Sequence, residues 1–165
     1  MAQIDALLPE FDHEMATTRK VLERVPEDRF NWKPHVTSMS MGELSTHVAN
    51  IVWWGEVTLS KPEYDAEGQP RAEIAPGHKA LMSTFDKNVA TTRAILAGIS
   101  DAELMVPWTL KQGKKTFFSM PRSVVWRSFV MNHLVHHRAQ LSVYLRMHDV
   151  PLPSMYGPSA DETPF

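Results

Sequence analysis

Apolar side chains recur along this chain at alternating steps of three and four. Ile4, Leu7, Leu8, Phe11, Met15, Thr18, Leu22 and Val25 make one such stripe, with Asp5, Asp12, Arg19, Lys20 and Glu23 on the opposite face. That is the pattern of an amphipathic helix, and Pro26 ends it because proline cannot continue the hydrogen-bond ladder. A second stripe, Leu44, Val48, Ile51, Val52 and Leu59, follows Ser40-Met41-Gly42-Glu43, a capping-box signature that predicts a helix over Met41–Ser60. A third runs through Leu81, Phe85, Val89, Thr92, Leu96 and Ile99 and predicts a helix over His78–Gly98, closed at its glycine. From Arg122 to Val150 there is neither Gly nor Pro, and Trp126, Val130, Leu141 and Tyr144 share one side. A fourth long helix is expected there, with Pro121 in its first turn.

The stretches between these stripes read as connections. Residues 26–39 carry two prolines around Phe30 and Trp32, and residues 61–77 hold Pro62, Gly68, Pro70 and Pro76 among charges without periodicity. Between 100 and 120, the β-prone runs Val106–Leu110 and Thr116–Phe118 flank Lys111-Gln112-Gly113-Lys114-Lys115, so a short hairpin or an extended excursion is expected. The basic tip is read as a solvated turn in preference to an anion site. The proline-rich tail, residues 151–165, is expected to pack as an irregular arm. The expected fold is therefore all-α, one domain over residues 1–165: a four-helix bundle with a hairpin or excursion before its last helix.

Composition narrows the function classes. The chain has 165 residues, 43% apolar and 22% charged, with a net charge of -2, ordinary values for a globular protein. Nothing in that balance favours nucleic acid or an anionic membrane. No apolar run approaches the length of a membrane span, and the N-terminus has no signal-peptide pattern, so a cytoplasmic location is expected. There is no Cys, which excludes disulfides, thiolate metal ligands and a cysteine nucleophile. A metal here must be held by His, Asp, Glu or neutral oxygen.

The eight histidines carry the candidate chemistry. His133 and His137 lie four apart on the fourth helix, so their imidazoles stand one above the other. His136 leaves the helix about 100° away. Spacing alone leaves a chance pair as open as a metal site. A catalytic zinc centre usually takes three protein ligands and keeps one open position, and the best third candidate is His47, at the border of the second helix's apolar stripe. Glu43, one turn earlier, is either a carboxylate orienting that imidazole or the reciprocal cap to Ser40, and the cap is favoured. His13 and His78 are read as surface residues. Gln140, Trp54 and Tyr144 are candidate pocket-lining residues. Leu134 follows His133, so the H-E-x-x-H protease motif is missing, as are nucleophile-elbow, phosphate-loop and dinucleotide fingerprints.

The segment Asn132-His133-Leu134-Val135-His136-His137-Arg138-Ala139-Gln140-Leu141, with Tyr144-Leu145-Arg146 and Pro151-Leu152-Pro153 to Tyr156-Gly157-Pro158-Ser159-Ala160-Asp161-Glu162, closely resembles the DinB family. Trp32-Lys33-Pro34 and Ser38 to His47 resemble its second-helix region. The resemblance implies a DinB/YfiT-like bundle with one metal held by His47, His133 and His137. Zinc is the default for imidazole ligands, with nickel, iron, manganese or cobalt as alternatives. The expected function is a metal-dependent enzyme that activates either water, as a hydrolase, or an exogenous low-molecular-weight thiol, as a thiol S-transferase. No general base is identified. The alternative is a non-catalytic metal- or small-molecule-binding protein of a stress response. A small-molecule substrate is expected, with no nucleic acid or membrane partner. A homodimer is expected from the family and from the adjacent Trp53 and Trp54, which cannot both face one core.

Overall fold

The computed structural model describes residues 3–163. The elements in order are α1 (Ile4–Leu22), a 3₁₀ turn (Glu27–Arg29), α2 (Met41–Ser60), β1 (Glu63–Asp65), α3 (His78–Gly98) and a short α4 (Asp101–Leu104). β2 (Pro107–Gln112), β3 (Lys115–Pro121), α5 (Arg122–Val125), a π-helical segment (Trp126–Met131) and α6 (Asn132–Arg146) follow. The bounds of α2 and α3 coincide with their apolar stripes.

The all-α expectation is overturned by a three-stranded mixed sheet. β2 and β3 form the hairpin that the sequence allowed, with Pro107 opposite Pro121 and Gln112 opposite Lys115. β1 lies parallel to β2, pairing Glu63 with Thr109 and Asp65 with Lys111, inside a stretch read as structureless. Three residues are too few to show an alternation, and the pairing partner is more than forty residues away. The four-helix description also fails in detail. A one-turn helix stands before the sheet, nucleated by a Ser100/Glu103 capping box, and the last helical run contains the π segment.

The ends of α2 follow from its sequence. Ser40 Oγ accepts from Glu43 N at 3.1 Å, and Ser40 N donates to Glu43 Oε2 at 2.6 Å. Such a cap is worth about 1 kcal/mol. Glu43 is thereby committed to the cap and to Lys33, and backbone donation from Ser40 holds its pKa down. The orienting role considered for it is not the one it takes.

The main core joins Phe11, Leu22, Leu44, Ile51, Phe85, Leu96, Trp126, Leu134 and Leu141. α2 runs through its middle, against α3 on one side and the last helical run on the other. Buried Asn88 and Thr92 of α3 donate to the Ala49 and Val52 carbonyls of α2 at 3.0 and 2.9 Å. Both side chains thus cross the interface with a donor paired. A second apolar cluster, under the sheet, contains Val57, Trp108 and Val125 with Trp53, Trp54, Tyr64, Phe118 and Phe129 around them. Both Trp53 and Trp54 are accommodated there within one chain, so the pair no longer argues for a dimer.

The tail through Thr163 is irregular, as expected, while Pro164 and Phe165 lie outside the described residues. Among the described residues no helix is long and apolar enough to cross a membrane.

Candidate metal centre

α2 and α6 bring His47, His133 and His137 together. Their candidate ligand atoms all lie within 4.8 Å of one another, and each ring is half-buried. The ring centroids are 5.0 Å apart for His47 and His133, 4.5 Å for His47 and His137, and 4.7 Å for His133 and His137. His47 Nε2 and His133 Nε2 face each other at 3.2 Å. Two nitrogens bound to one tetrahedral zinc at about 2.05 Å would stand about 3.3 Å apart, so the pair is already at coordinating separation. His136 is exposed, with its ring 4.8 Å from that of His137 between centroids and outside the cluster. His13 is exposed. His78 is half-buried, with Nε2 3.1 Å from the Leu22 carbonyl, so it is a structural contact more than a surface residue.

The surroundings select the neutral, ligating form of each ring. Burial, followed by repulsion from His137 and His133, pushes the His47 pKa down from 6.5 to about 4. His133 is lowered by burial and then by His137, against the Phe129 carbonyl, which works the other way. Burial also lowers His137, while Gln140 opposes it. Gln140 Oε1 lies 2.7 Å from His137 Nδ1. An amide oxygen only accepts, so the proton belongs on Nδ1 and the Nε2 lone pair is left free. His133 Nδ1 is buried without a well-formed hydrogen bond. Three neutral nitrogen donors converging from two rigid helices fit a divalent transition metal. Among the described residues no carboxylate joins them, so such an ion would keep its full charge.

A cleft of about 720 Å³ opens beside His47, lined by Asn50, Trp53, Trp54, Lys61, Tyr64, Asp65 and Asn88 among others. A second space of about 390 Å³ meets it at His47, Asn50 and Ala72 and adds Arg71 and Ile74. Of the pocket residues expected from sequence, Trp54 lines the cleft and Gln140 orients a ring of the cluster. Tyr144 does neither: it packs edge-on against Trp32 and donates to the Met39 carbonyl at 3.3 Å. Asn50, Lys61 and Tyr64 were missed. Asn50 was legible in principle, since it stands three residues after His47 on the same helix face. The other two depend on how the connection after α2 folds back.

A helical scaffold with a three-histidine cluster able to hold a metal, one of whose rings lines a cleft, defines the class. Residues 1–163 match the DinB family, and the chain belongs to it. The uncharacterized protein YjoA of Bacillus subtilis is 24% identical over 155 residues, spanning 88% of this chain and 91% of that one. The crystal structure of that DinB-like protein superposes with a TM-score of 0.71 at 20% identity, covering 91% of this chain and 96% of YjoA. A DinB-like protein from Bacillus cereus gives a TM-score of 0.69 at 20% identity, covering 94% of this chain and 100% of its own.

Proposed function

We propose that this DinB-family chain is a metal-dependent enzyme acting on a small molecule, with His47, His133 and His137 as the ligands of one divalent ion. The observation that carries the reading is the convergence of three imidazoles, one of which, His47, lines a cleft. A bound ion would supply Lewis acidity, lowering the pKa of a water or of an exogenous thiol in its open position, for hydrolysis or S-transfer respectively. The chain's own part is positional. α2 and α6 hold the donors, Gln140 fixes the tautomer of His137, and burial keeps the rings unprotonated at neutral pH. With no Cys in the chain, a thiol would have to enter as cosubstrate. The only carboxylate beside His47 in the smaller space, Glu43, is occupied by its cap and by Lys33.

The reading is tested on protein purified without a nickel column. About one zinc per chain should be taken up, and turnover with a panel of thiols and electrophiles should disappear on chelation and return with metal. A protein that takes up no divalent metal sinks the reading; uptake with no turnover on any pair leaves the non-catalytic metal-binding alternative.

A further inference from the structure

The larger cleft is more specific than a generic pocket, because its acidic side chains and Asn88 already have partners. Its aromatic side consists of Trp53, Trp54 and Tyr64, with ring centroids 4.8 to 5.7 Å apart. Rings this close pack on one another and leave no space for an ammonium group between them, so they make a wall and not a cation cage. Of the acids, Glu63 is paired with Lys111. Asp65 Oδ1 receives the backbone N–H groups of Glu67 and Gly113 at 2.9 and 3.0 Å. Lys61 is different. It lines the cleft just past the end of α2, and among the described residues its ammonium has no carboxylate partner. Asn50 is likewise uncommitted: its amide makes no hydrogen bond among the described residues, one helical turn from His47 and facing both spaces.

We propose that this cleft takes a small organic acid with an apolar or aromatic body. The body lies on the Trp53–Tyr64 wall, the carboxylate pairs with Lys61, and Asn50 offers an amide donor and acceptor to the part of the molecule nearest the histidines. This rests on the metal-dependent reading for which end of the ligand reacts, but not for how the acid is held. It names the substrate class that the reading leaves open.

The test compares 3-phenylpropionate with its neutral amide, 3-phenylpropanamide, by calorimetry and by quenching of tryptophan fluorescence, on the zinc-loaded full chain. The acid should bind about tenfold more tightly than the amide, a margin typical of one charge-assisted contact. Lys61→Gln should abolish that margin, while Lys114→Gln at the hairpin tip and Asn50→Ala should both preserve it, the latter because the phenyl end of this probe offers the amide no hydrogen bond. The same comparison in His47→Ala separates the two readings. A margin that survives there and still depends on Lys61 supports the cleft assignment, whether or not the parent chain takes up zinc. Equal binding of acid and amide, no binding of either, or a margin that vanishes in His47→Ala yet ignores Lys61→Gln overturns it, the last because the carboxylate would then be ligating the metal.

Discussion

A difference of one residue decides which histidines can meet. His136 and His137 are neighbours in sequence, yet only His137 points at α2, because each helical step turns the side chain by about 100°. His136→Ala should therefore leave zinc content nearly unchanged, whereas His137→Ala and His47→Ala should each strip most of it under the same dialysis. Equal losses at 136 and 137 would mean that the helix face is misassigned. Gln140→Leu should weaken zinc binding by about 10- to 100-fold, the usual effect of removing an orienting partner. The lowered pKa values make a second prediction, about pH. His47 titrates near 4 in the folded chain and near 6.5 when unfolded, and His133 and His137 shift the same way. Between those values the unfolded chain binds more protons, so the metal-free protein loses stability as pH falls from about 6.5 toward 4. Urea midpoints measured across that window should decline, and the decline should be shallower in His47→Ala. A flat profile would contradict the assigned burial. At this scale the sequence was informative: i, i+4 spacing and an apolar border picked out the three rings as candidates, the family resemblance joined them into one set, and the structure brings them together. Lys61 was not legible as a cleft residue, since its place depends on a chain reversal that no local pattern encodes.

The elements that were legible are those whose burial is periodic. α2 and α3 announce themselves through unbroken stripes and a capping box. β1 is three residues long and owes its conformation to β2, so nothing in residues 63–65 alone could reveal it. The π segment is equally silent, because Trp126 to Met131 have ordinary helical composition and their wider turn is set by the packing around them. Gly55 shows how such packing constrains the site. A Cβ there would stand 2.6 Å from Thr92 Cγ2 and 3.0 Å from Trp126 Cζ3. Thr92 cannot simply rotate away, since its Oγ1 is bonded to the Val52 carbonyl, and Trp126 is fully buried. Alanine would gain about 1 kcal/mol of helix propensity, but overpacking a filled core costs about 1–3 kcal/mol. Gly55→Ala should therefore lower the melting temperature. It should also weaken zinc binding, because it pushes α2, which carries His47, away from the helical run that carries His133. An unchanged or higher melting temperature would show that the interface yields more easily than its contacts suggest.

At the scale of the whole molecule, the homodimer we propose rests on the family resemblance alone, since the tryptophan pair is accommodated within one chain; sedimentation at micromolar concentration checks it, and a clean 18.8 kDa species would end the proposal. Within the chain, the last helical run is fastened on its side opposite the histidines. Arg138, next to His137, points the other way, toward α1. Its side chain is 1% exposed and meets Glu14 Oε2 at 2.7 Å, while its other nitrogen donates to Thr18 Oγ1 at 3.0 Å. The Tyr156 hydroxyl, from the tail, donates to the same Glu14 carboxylate at 2.9 Å and accepts from Arg138. A buried Arg138–Glu14 pair, covered by the exposed Tyr156, thus ties the first helix, the last helix and the tail, and fixes the rotation of α6 that aims His137 at His47. Removing either charged member leaves the other uncompensated in the interior. Glu14→Leu should cost about 3–5 kcal/mol by urea unfolding. Breaking the exposed Arg93–Asp12 pair with Asp12→Ala should cost little, since solvent screens it. Adding Arg138→Met to Glu14→Leu should recover much of the loss, because an apolar pair needs no counter-charge. The double variant should still bind zinc, with lower affinity as α6 loses its rotational anchor. If the double variant is as unstable as Glu14→Leu alone, the cluster matters for its packing and not for its charges.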